Sequence, residues 1–258
     1  MIIIKNDKEI DLMRIAGKIV AETLLLVEKH VKPGITTAEL DRIAEEFITK
    51  HGAIPSFKGL YGFPASLCIS VNEQVVHGIP GGYVLKEGDI ISVDCGAHIN
   101  GFHGDAARTF AVGNISDEAK RLIQVTEESF FKGIEFAKPG NRLTDISHEI
   151  QRYVEASGFS VVRDFVGHGI GKSVHEDPEV PNFGRPGRGP KLVAGMTLAI
   201  EPMVNMGTYR VATLGDDWTV VSADKSLSAH YENTVVILPD GPEILTLIKS
   251  VLLSYKFA

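Results

Sequence analysis

The sequence predicts an α+β fold with a duplicated, pseudo-twofold plan, in which an antiparallel sheet is covered by helices on one side. Two observations predict it. The chain repeats itself: VKPGITTAELDRIAEEFITKHGA (31–53) returns as AKPGNRLTDISHEIQRYVEASGF (137–159), and LKEGDIISVD (85–94) returns as LVAGMTLAIE (192–201), at offsets of 106 and 107 residues. That period is too long for a solenoid unit. The stretch SVDCGAHINGFHGDAART (92–109) then reads as a β-hairpin, because Asn100-Gly101 between apolar, β-branched runs is the strongest short-range turn signal.

The elements follow in order. Residues 7–30 form a first amphipathic helix. A KPG turn leads to a second helix, stopped by Gly52. Strands then run to the hairpin. The second half opens with a helix over 117–136, where Ser116 and the early acid Glu118 mark the N-terminus. Another KPG turn leads to a helix that ends at Gly158. Leu40, Ile43 and Phe47 of the first copy align with Ile146, Glu149 and Tyr153 of the second. Each copy closes on a turn glycine, an apolar strand and an acid, so Asp94 has a counterpart in Glu201. No Ser/Pro-rich linker separates the halves. A single catalytic domain over 1–258 is expected, with halves of roughly 1–110 and 111–250.

Composition narrows the function classes. An apolar fraction of 44% is that of a soluble globular protein. A net charge of −7 argues against a general or specific nucleic-acid binder, and the basic run RPGRGPK (185–191) reads as a solvated loop. Two cysteines, Cys68 and Cys95, make no disulfide framework and point to a reducing compartment. The apolar run in MIIIKNDKEI is too short for a signal peptide, and nothing approaches a membrane span. A cytoplasmic protein with no membrane partner is expected, monomeric by default.

The chemistry sits in acids where apolar residues belong. Folding the hairpin at its turn is expected to set Asp94 and Asp105 almost opposite each other, with Cβ atoms about 5 Å apart. Two carboxylates that close in a sheet repel and resist desolvation, so a cation or a shared proton must lie between them. TLAIEPMV (197–204) adds Glu201, AHYENTVVIL (229–238) adds Glu232, GHGIGKSVHE (167–176) adds His168 and His175, and VVHGIP (75–80) adds His77. A lone histidine beside an apolar strand is more often a hydrogen-bonded core residue than a ligand, and a lone strand-end glutamate is more often solvated. Four strand-embedded acids related by a duplication are another matter, because burying them uncompensated is prohibitive. Two divalent cations balance four carboxylates, with His168 a neutral fifth ligand. Oxygen-rich ligation with one imidazole suits Mn, Co, Fe or Zn, and a two-metal site implies hydrolysis of an amide or a phosphate ester.

Other motifs carry less. GIGKS (169–173) is not a phosphate loop, because Val166 stands where the pattern needs glycine. Cys68 in SLCIS reads as a buried or pocket-lining thiol. His98 and His103 flank the hairpin turn, and His103 shares a strand face with Asp105. Asp216 and Asp217 read as surface-turn residues before Trp218, the only tryptophan.

SVNEQVVHGIP, SVDCGAHINGFHGDAARTF, VGHGIGKSVHE, LAIEPMV and DDWTVVSADKSLSAHYENTVV, in this order and spacing, closely resemble the type I methionine aminopeptidases, a branch of the pita-bread metallopeptidases. The resemblance runs from the first helix to about residue 240. It implies that Asp105, His168, Glu201 and Glu232 ligate one ion, and that Asp94, Asp105 and Glu232 ligate the other. Glu201 would also be the general base, and His77 and His175 would bind substrate and assist catalysis. Tyr61, Phe63, Cys68 and Trp218 would line a methionine pocket. The implied substrate is the initiator methionine of a nascent chain whose second residue is small, with a ribosome contact a secondary expectation. The chain departs from the family pattern at Val174, often aromatic, and at His230 and Asn233, often Gln and His. Only 26 positions separate His175 from Glu201, which leaves no room for the large insert of the type II branch. Proline-directed peptidases of the same fold, a non-catalytic binding protein and a two-metal phosphoesterase are the competing readings.

Overall fold

The computed structural model describes residues 1–247, so the last part of the expected domain, 248–258, lies outside the described residues. Four helices carry the duplication: α1 (Asp7–His30), α2 (Thr37–Lys50), α3 (Asp117–Ile134) and α4 (Leu143–Ala156). Asn6 caps α1 in a capping box with Glu9, and Ser116 caps α3 by accepting from the Ala119 N–H. Gly52 and Gly158 have φ of 74° and 88°, the left-handed geometry that stops α2 and α4.

The strands pair antiparallel in four sheets. In the first, β1 (Ile54–Pro55), β2 (Leu67–Val71) and β5 (Phe102–Ala111) all pair with β4 (Ile90–Ile99). The largest has the order β15 (Gly241–Ile244), β14 (Asn233–Leu238), β9 (Thr197–Ile200), β7 (Gly167–Gly169), β8 (Glu176–Val180). Two smaller sheets join β13 (Ser228–His230), β10 (Met203–Asn205) and β6 (Ser160–Val161), and β11 (Val211–Thr213), β12 (Val220–Ser222) and β3 (Gln74–Val76).

The duplication is visible bond by bond. Gly34 N donates to Leu85 O (2.8 Å) and Leu85 N to Ile35 O (2.8 Å); in the second half Gly140 N donates to Leu192 O (3.0 Å) and Leu192 N to Asn141 O (2.8 Å). The second helices bury equivalent stripes: Thr37, Leu40, Ala44 and Ile48 in α2, and Leu143, Ile146, Ile150 and Val154 in α4, each 106 residues on. Only Leu40 and Ile146 of the pairs expected from sequence belong to these stripes. Ile43, Phe47, Glu149 and Tyr153 lie one row aside and are half-buried. Each half keeps its own core. Residues of α1 and α2 pack on β2, β4 and β5, and residues of α3 and α4 pack on β9, β10, β13 and β14.

The halves meet at backbone level. Glu232 N donates to Ala107 O (3.0 Å) and Ala107 N to Glu232 O (3.3 Å). Beside this pair, Thr234 Oγ1 accepts from Asp105 N and donates to Asp105 O, both at 2.9 Å. Asp105 of the first half and Glu232 of the second are thereby neighbours by construction.

Because Leu40 and Ile146 are fully buried equivalents, Leu40→Ala and Ile146→Ala should each cost about 2–5 kcal/mol. Glu149→Ala, one row aside, should cost under about 1 kcal/mol. Urea unfolding followed by circular dichroism reads both, and a larger loss at Glu149 than at Ile146 would contradict the stripe.

Candidate metal centre

The hairpin turn sets the geometry of the first two acids. Asn100 and Gly101 take φ of 54° and 82°, as a two-residue primed turn requires. That turn pairs Ile99 with Phe102, and the ladder follows: Asp94 faces Ala107, and Asp105 faces Gly96. The two aspartates are therefore diagonal neighbours on one face, one diagonal step from the almost opposed placement expected from sequence. A two-residue loop allows no other register.

Glu201 directly follows β9, and Glu232 directly precedes β14. In the ladder of those strands Ile200 pairs with Asn233, so the chain delivers both glutamates to one end of the largest sheet. His168 sits on β7, paired with Ala199 of β9. Its Nδ1 is 2.9 Å from Gly169 O. Donation there leaves Nε2 as the lone-pair nitrogen, and Nε2 lies 3.7 Å from Glu201 Oε1.

These side chains converge. Ligand atoms of Asp105, His168 and Glu232 lie within 4.8 Å of one another, as do those of Asp94, His230 and Glu232. Glu232 belongs to both groups. Asp105 is 3% exposed and Glu232 is 2% exposed. Asp94 Oδ1, Asp105 Oδ1, Glu232 Oε1 and His230 Nε2 are buried without a hydrogen-bond partner. Burial, with the neighbouring carboxylates adding to it, holds the Asp105 and Glu232 carboxyls well above the usual range. Burial likewise raises Asp94 to about 7 and Glu201 to about 8. It pushes His168 and His230 down to about 4, so both imidazoles are neutral at physiological pH. Four acids that resist ionisation, two neutral imidazoles and a set of orphaned donor atoms fit divalent cations, because cations supply the missing partners.

Arg108, the one basic residue near the acids in sequence, is committed elsewhere. Its Nη1 donates to Ala107 O (2.7 Å) and Glu232 O (2.5 Å), its Nη2 to Asn233 Oδ1 (2.7 Å), and its guanidinium stacks on Tyr231 at 4.2 Å. It braces the join between the halves and is not free to bind a phosphate. The GIGKS stretch is similarly occupied, since Lys172 N donates to Glu176 Oε1 (2.8 Å) and Glu176 Oε2 pairs with the buried Lys5 ammonium (2.5 Å).

An apolar cluster adjoins the acids. Cys68 pairs with Asp94 in the ladder between β2 and β4. It packs with Phe57, Phe63, Ala65 and Val174, with Trp218 and Ile79 against them. Phe63 and Trp218 meet edge to face at 5.1 Å. Asp216 accepts from the Trp218 and Thr219 N–H groups at 3.0 and 2.8 Å, the surface turn expected, and so fixes the tryptophan's approach. Tyr61 stands apart from this cluster. It is 76% exposed and stacks on His175 at 5.8 Å. His175 in turn meets His168 edge to face at 4.5 Å.

His77 touches Trp218 (6.4 Å) and Phe165 (5.6 Å) edge to face. Its φ of 59° is unusual for a residue with a side chain. Gly78 explains the detour: a Cβ there would lie 2.2 Å from Ile69 O, so the backbone runs hard against β2. Strain of this kind is characteristic of positioned functional residues. His103 is not drawn to the acids; its Nδ1 is 2.9 Å from Ser56 Oγ and its ring stacks on His98 at 4.3 Å.

Sequence reasoning noted His230 only as a departure from the family pattern and did not assign it to the site. It is 1% exposed, with Nε2 3.5 Å from Glu201 Oε2 and 3.8 Å from Glu232 Oε2. The signal was its place two residues before Glu232, because alternate strand residues share a face.

Known proteins bear on this site. Residues 11–239 match the metallopeptidase family M24. The chain is 79% identical to a methionine aminopeptidase of Clostridium perfringens over 96% of this chain and all of that one. It is 60% identical to methionine aminopeptidase 1 of Bacillus subtilis over 95% of this chain and 99% of that one. Its structure matches a crystal structure of methionine aminopeptidase from Rickettsia prowazekii with a TM-score of 0.95 at 46% identity, covering 96% of this chain and all of that one. With the buried acids, the neutral imidazoles and the duplicated scaffold all in place, the chain belongs to metallopeptidase family M24, whose members work with divalent metal.

Proposed function

We infer that this protein is a methionine aminopeptidase, which hydrolyses the first peptide bond of nascent proteins and peptides when the second residue is small. The observation that carries the reading is a cluster of buried, unpartnered carboxylates with an apolar, sulfur- and aromatic-bearing cluster one ladder step away. Residues 1–258 act as one catalytic domain to which both halves contribute ligands.

The site holds two divalent ions of Co, Mn, Fe or Zn. Asp105, His168, Glu201 and Glu232 serve one, and Asp94, Asp105 and Glu232 serve the other. When bound, such ions supply polarisation of the scissile carbonyl and a lowered pKa for the attacking water. The protein's residues do the rest. Glu201 accepts the proton of the attacking water. His175, at the exposed rim, donates an N–H toward the oxygen on which charge develops. His77, held at its strained backbone position beside Trp218, orients the substrate amide. Phe63, Cys68 and Trp218 take the methionine side chain, whose polarizable thioether suits aromatic edges and sulfur. Tyr61, stacked on His175, covers the entrance.

Among the described residues no helix is long and apolar enough to cross a membrane. We place the enzyme in the cytoplasm, as a monomer acting on emerging chain termini, with the ribosome a further partner.

The founding experiment compares Met-Ala-Ser with Ala-Pro-Ala as substrates for chelator-stripped protein, with and without Mn²⁺ or Co²⁺. Metal-dependent release of methionine from the first peptide alone is expected. Cleavage of only the proline peptide would move the protein to the proline-directed branch, and no cleavage of either would refute the aminopeptidase reading.

Glu201→Gln keeps the side chain's shape and removes its basicity. Its kcat should fall by about 10²–10⁴, with circular dichroism unchanged. Turnover near that of the wild type would remove Glu201 from the role of base.

The raised acids also set a pH dependence. Asp94 at about 7 and Glu201 at about 8 bind protons more tightly folded than unfolded. Their contribution to stability is therefore full at low pH and lost as pH rises through 7 to 8. The buried histidines, lowered to about 4, lose their contribution only as pH falls below their unfolded value of 6.5. Between pH 6.5 and 8.5 the acids dominate. Metal-stripped protein should lose Tm across that window, and Mn²⁺ should raise Tm more at pH 8 than at pH 6.5. A Tm that rises with pH in stripped protein would contradict the linkage.

A further inference from the structure

His230 is the one polar side chain of the centre that the five-ligand assignment leaves unused. Its backbone is clamped. His230 N donates to Thr109 Oγ1 and Thr109 Oγ1 donates to His230 O, both at 2.9 Å, while the next residue, Tyr231, donates its N–H to Pro202 O at 3.1 Å. Met203 of β10 pairs with it on the strand. The side chain is 2% exposed and cannot swing away to water. Its Nε2 is buried, without a hydrogen-bond partner, and faces Glu201 Oε2 at 3.5 Å and Glu232 Oε2 at 3.8 Å.

Neither tautomer is satisfied by the protein alone. If Nε2 carries the proton, both carboxylate oxygens lie beyond the 2.7–3.2 Å of an N–H···O bond. If Nε2 carries the lone pair, an ionised carboxylate repels it, and a protonated Glu201 or Glu232 would have to donate across 3.5 or 3.8 Å, beyond a hydrogen bond. A cation set among these atoms removes both difficulties. A ring nitrogen of His230 lies within 4.8 Å of ligand oxygens of Asp94 and Glu232, in a group that shares only Glu232 with that of Asp105, His168 and Glu232.

We propose that His230 is a sixth protein ligand of the centre, binding through Nε2 the ion held by Asp94 and Glu232. The proposal rests on the two-ion reading above and deepens it. Each ion then receives one imidazole, His168 on one side and His230 on the other. A nitrogen at the second position raises its affinity for borderline metals such as Zn, Co and Fe relative to Mn, which prefers oxygen.

The test titrates chelator-stripped protein with Co²⁺, following heat and visible absorption and not turnover. Wild type should bind two equivalents. In His230→Gln one binding step should stay as in wild type, while the other weakens by about 10–100-fold, and the absorption that develops with that step should change because nitrogen has been replaced by an amide. His168→Gln should weaken the opposite step. In His230→Ala, added imidazole should restore the weakened step, which separates loss of a ligand from loss of fold. Two unchanged steps with an unchanged spectrum in His230→Gln would overturn the ligand assignment, as would equal weakening of both steps. A wild-type protein that binds fewer than two ions would instead bring down the two-ion reading itself.

Discussion

The structure is organised around mutual repulsion among four buried acids. Asp94, Asp105, Glu201 and Glu232 raise one another's proton affinity or have it raised by burial. A fold that brings them together without cations loses stability, since the desolvation of even one unpaired carboxylate costs several kcal/mol. The scaffold must therefore impose the cluster with interactions that do not depend on it. It does so with backbone. The acids sit in or beside strands whose ladders continue past them. The reciprocal bonds between Ala107 and Glu232, flanked by Thr234 on Asp105, fix the join. Arg108 reinforces it by taking the carbonyls of Ala107 and Glu232. Its positive charge also lowers the proton affinity of Glu232, against the larger effect of burial.

Duplication explains how such a cluster is assembled economically. Each half is a helix pair on antiparallel strands with its own core, and each runs an apolar strand segment into an acid, Asp94 within β4 and Glu201 directly after β9. Placing two such units face to face sets acid against acid along the pseudo-twofold. The equivalence holds in helices and turns, where the KPG loops make the same pair of bonds to Leu85 and Leu192. It lapses at the site. The first half supplies a long hairpin with both of its acids on one face, and the second supplies its glutamates from the ends of β9 and β14, with His168 on β7. Divergence at the centre gives the acids of the two halves unlike surroundings.

Much of this was legible in the sequence, and the limits have physical causes. The helix boundaries, the duplication and the four acids and one imidazole of the expected ligand set could be read because strand-embedded carboxylates and KPG turns violate or punctuate the local pattern. The hairpin put the two aspartates almost opposite, and their diagonal register follows only when the pairing is carried outward from Ile99 and Phe102. The correspondence of Leu40, Ile43 and Phe47 with Ile146, Glu149 and Tyr153 does not show which row faces the core, because Thr37 and Ala44 face it as well as Leu40, and small or polar residues do not advertise burial. His230 stood out in the sequence only as a departure from the family pattern, because a histidine in an apolar strand is usually a core residue. Only the three-dimensional placement of Glu201 against its Nε2 distinguishes this one.

The apolar cluster and the acids share one sheet face. Cys68 and Asp94 are directly paired, so their side chains rise from the same face about 5 Å apart. Phe63, Val174 and Trp218 pack around Cys68, so the cluster reaches the acids through a single ladder step. Its distance from Asp94 is fixed by backbone pairing and not by loop conformation, and positions carried on strands are held to a tolerance that loops do not reach.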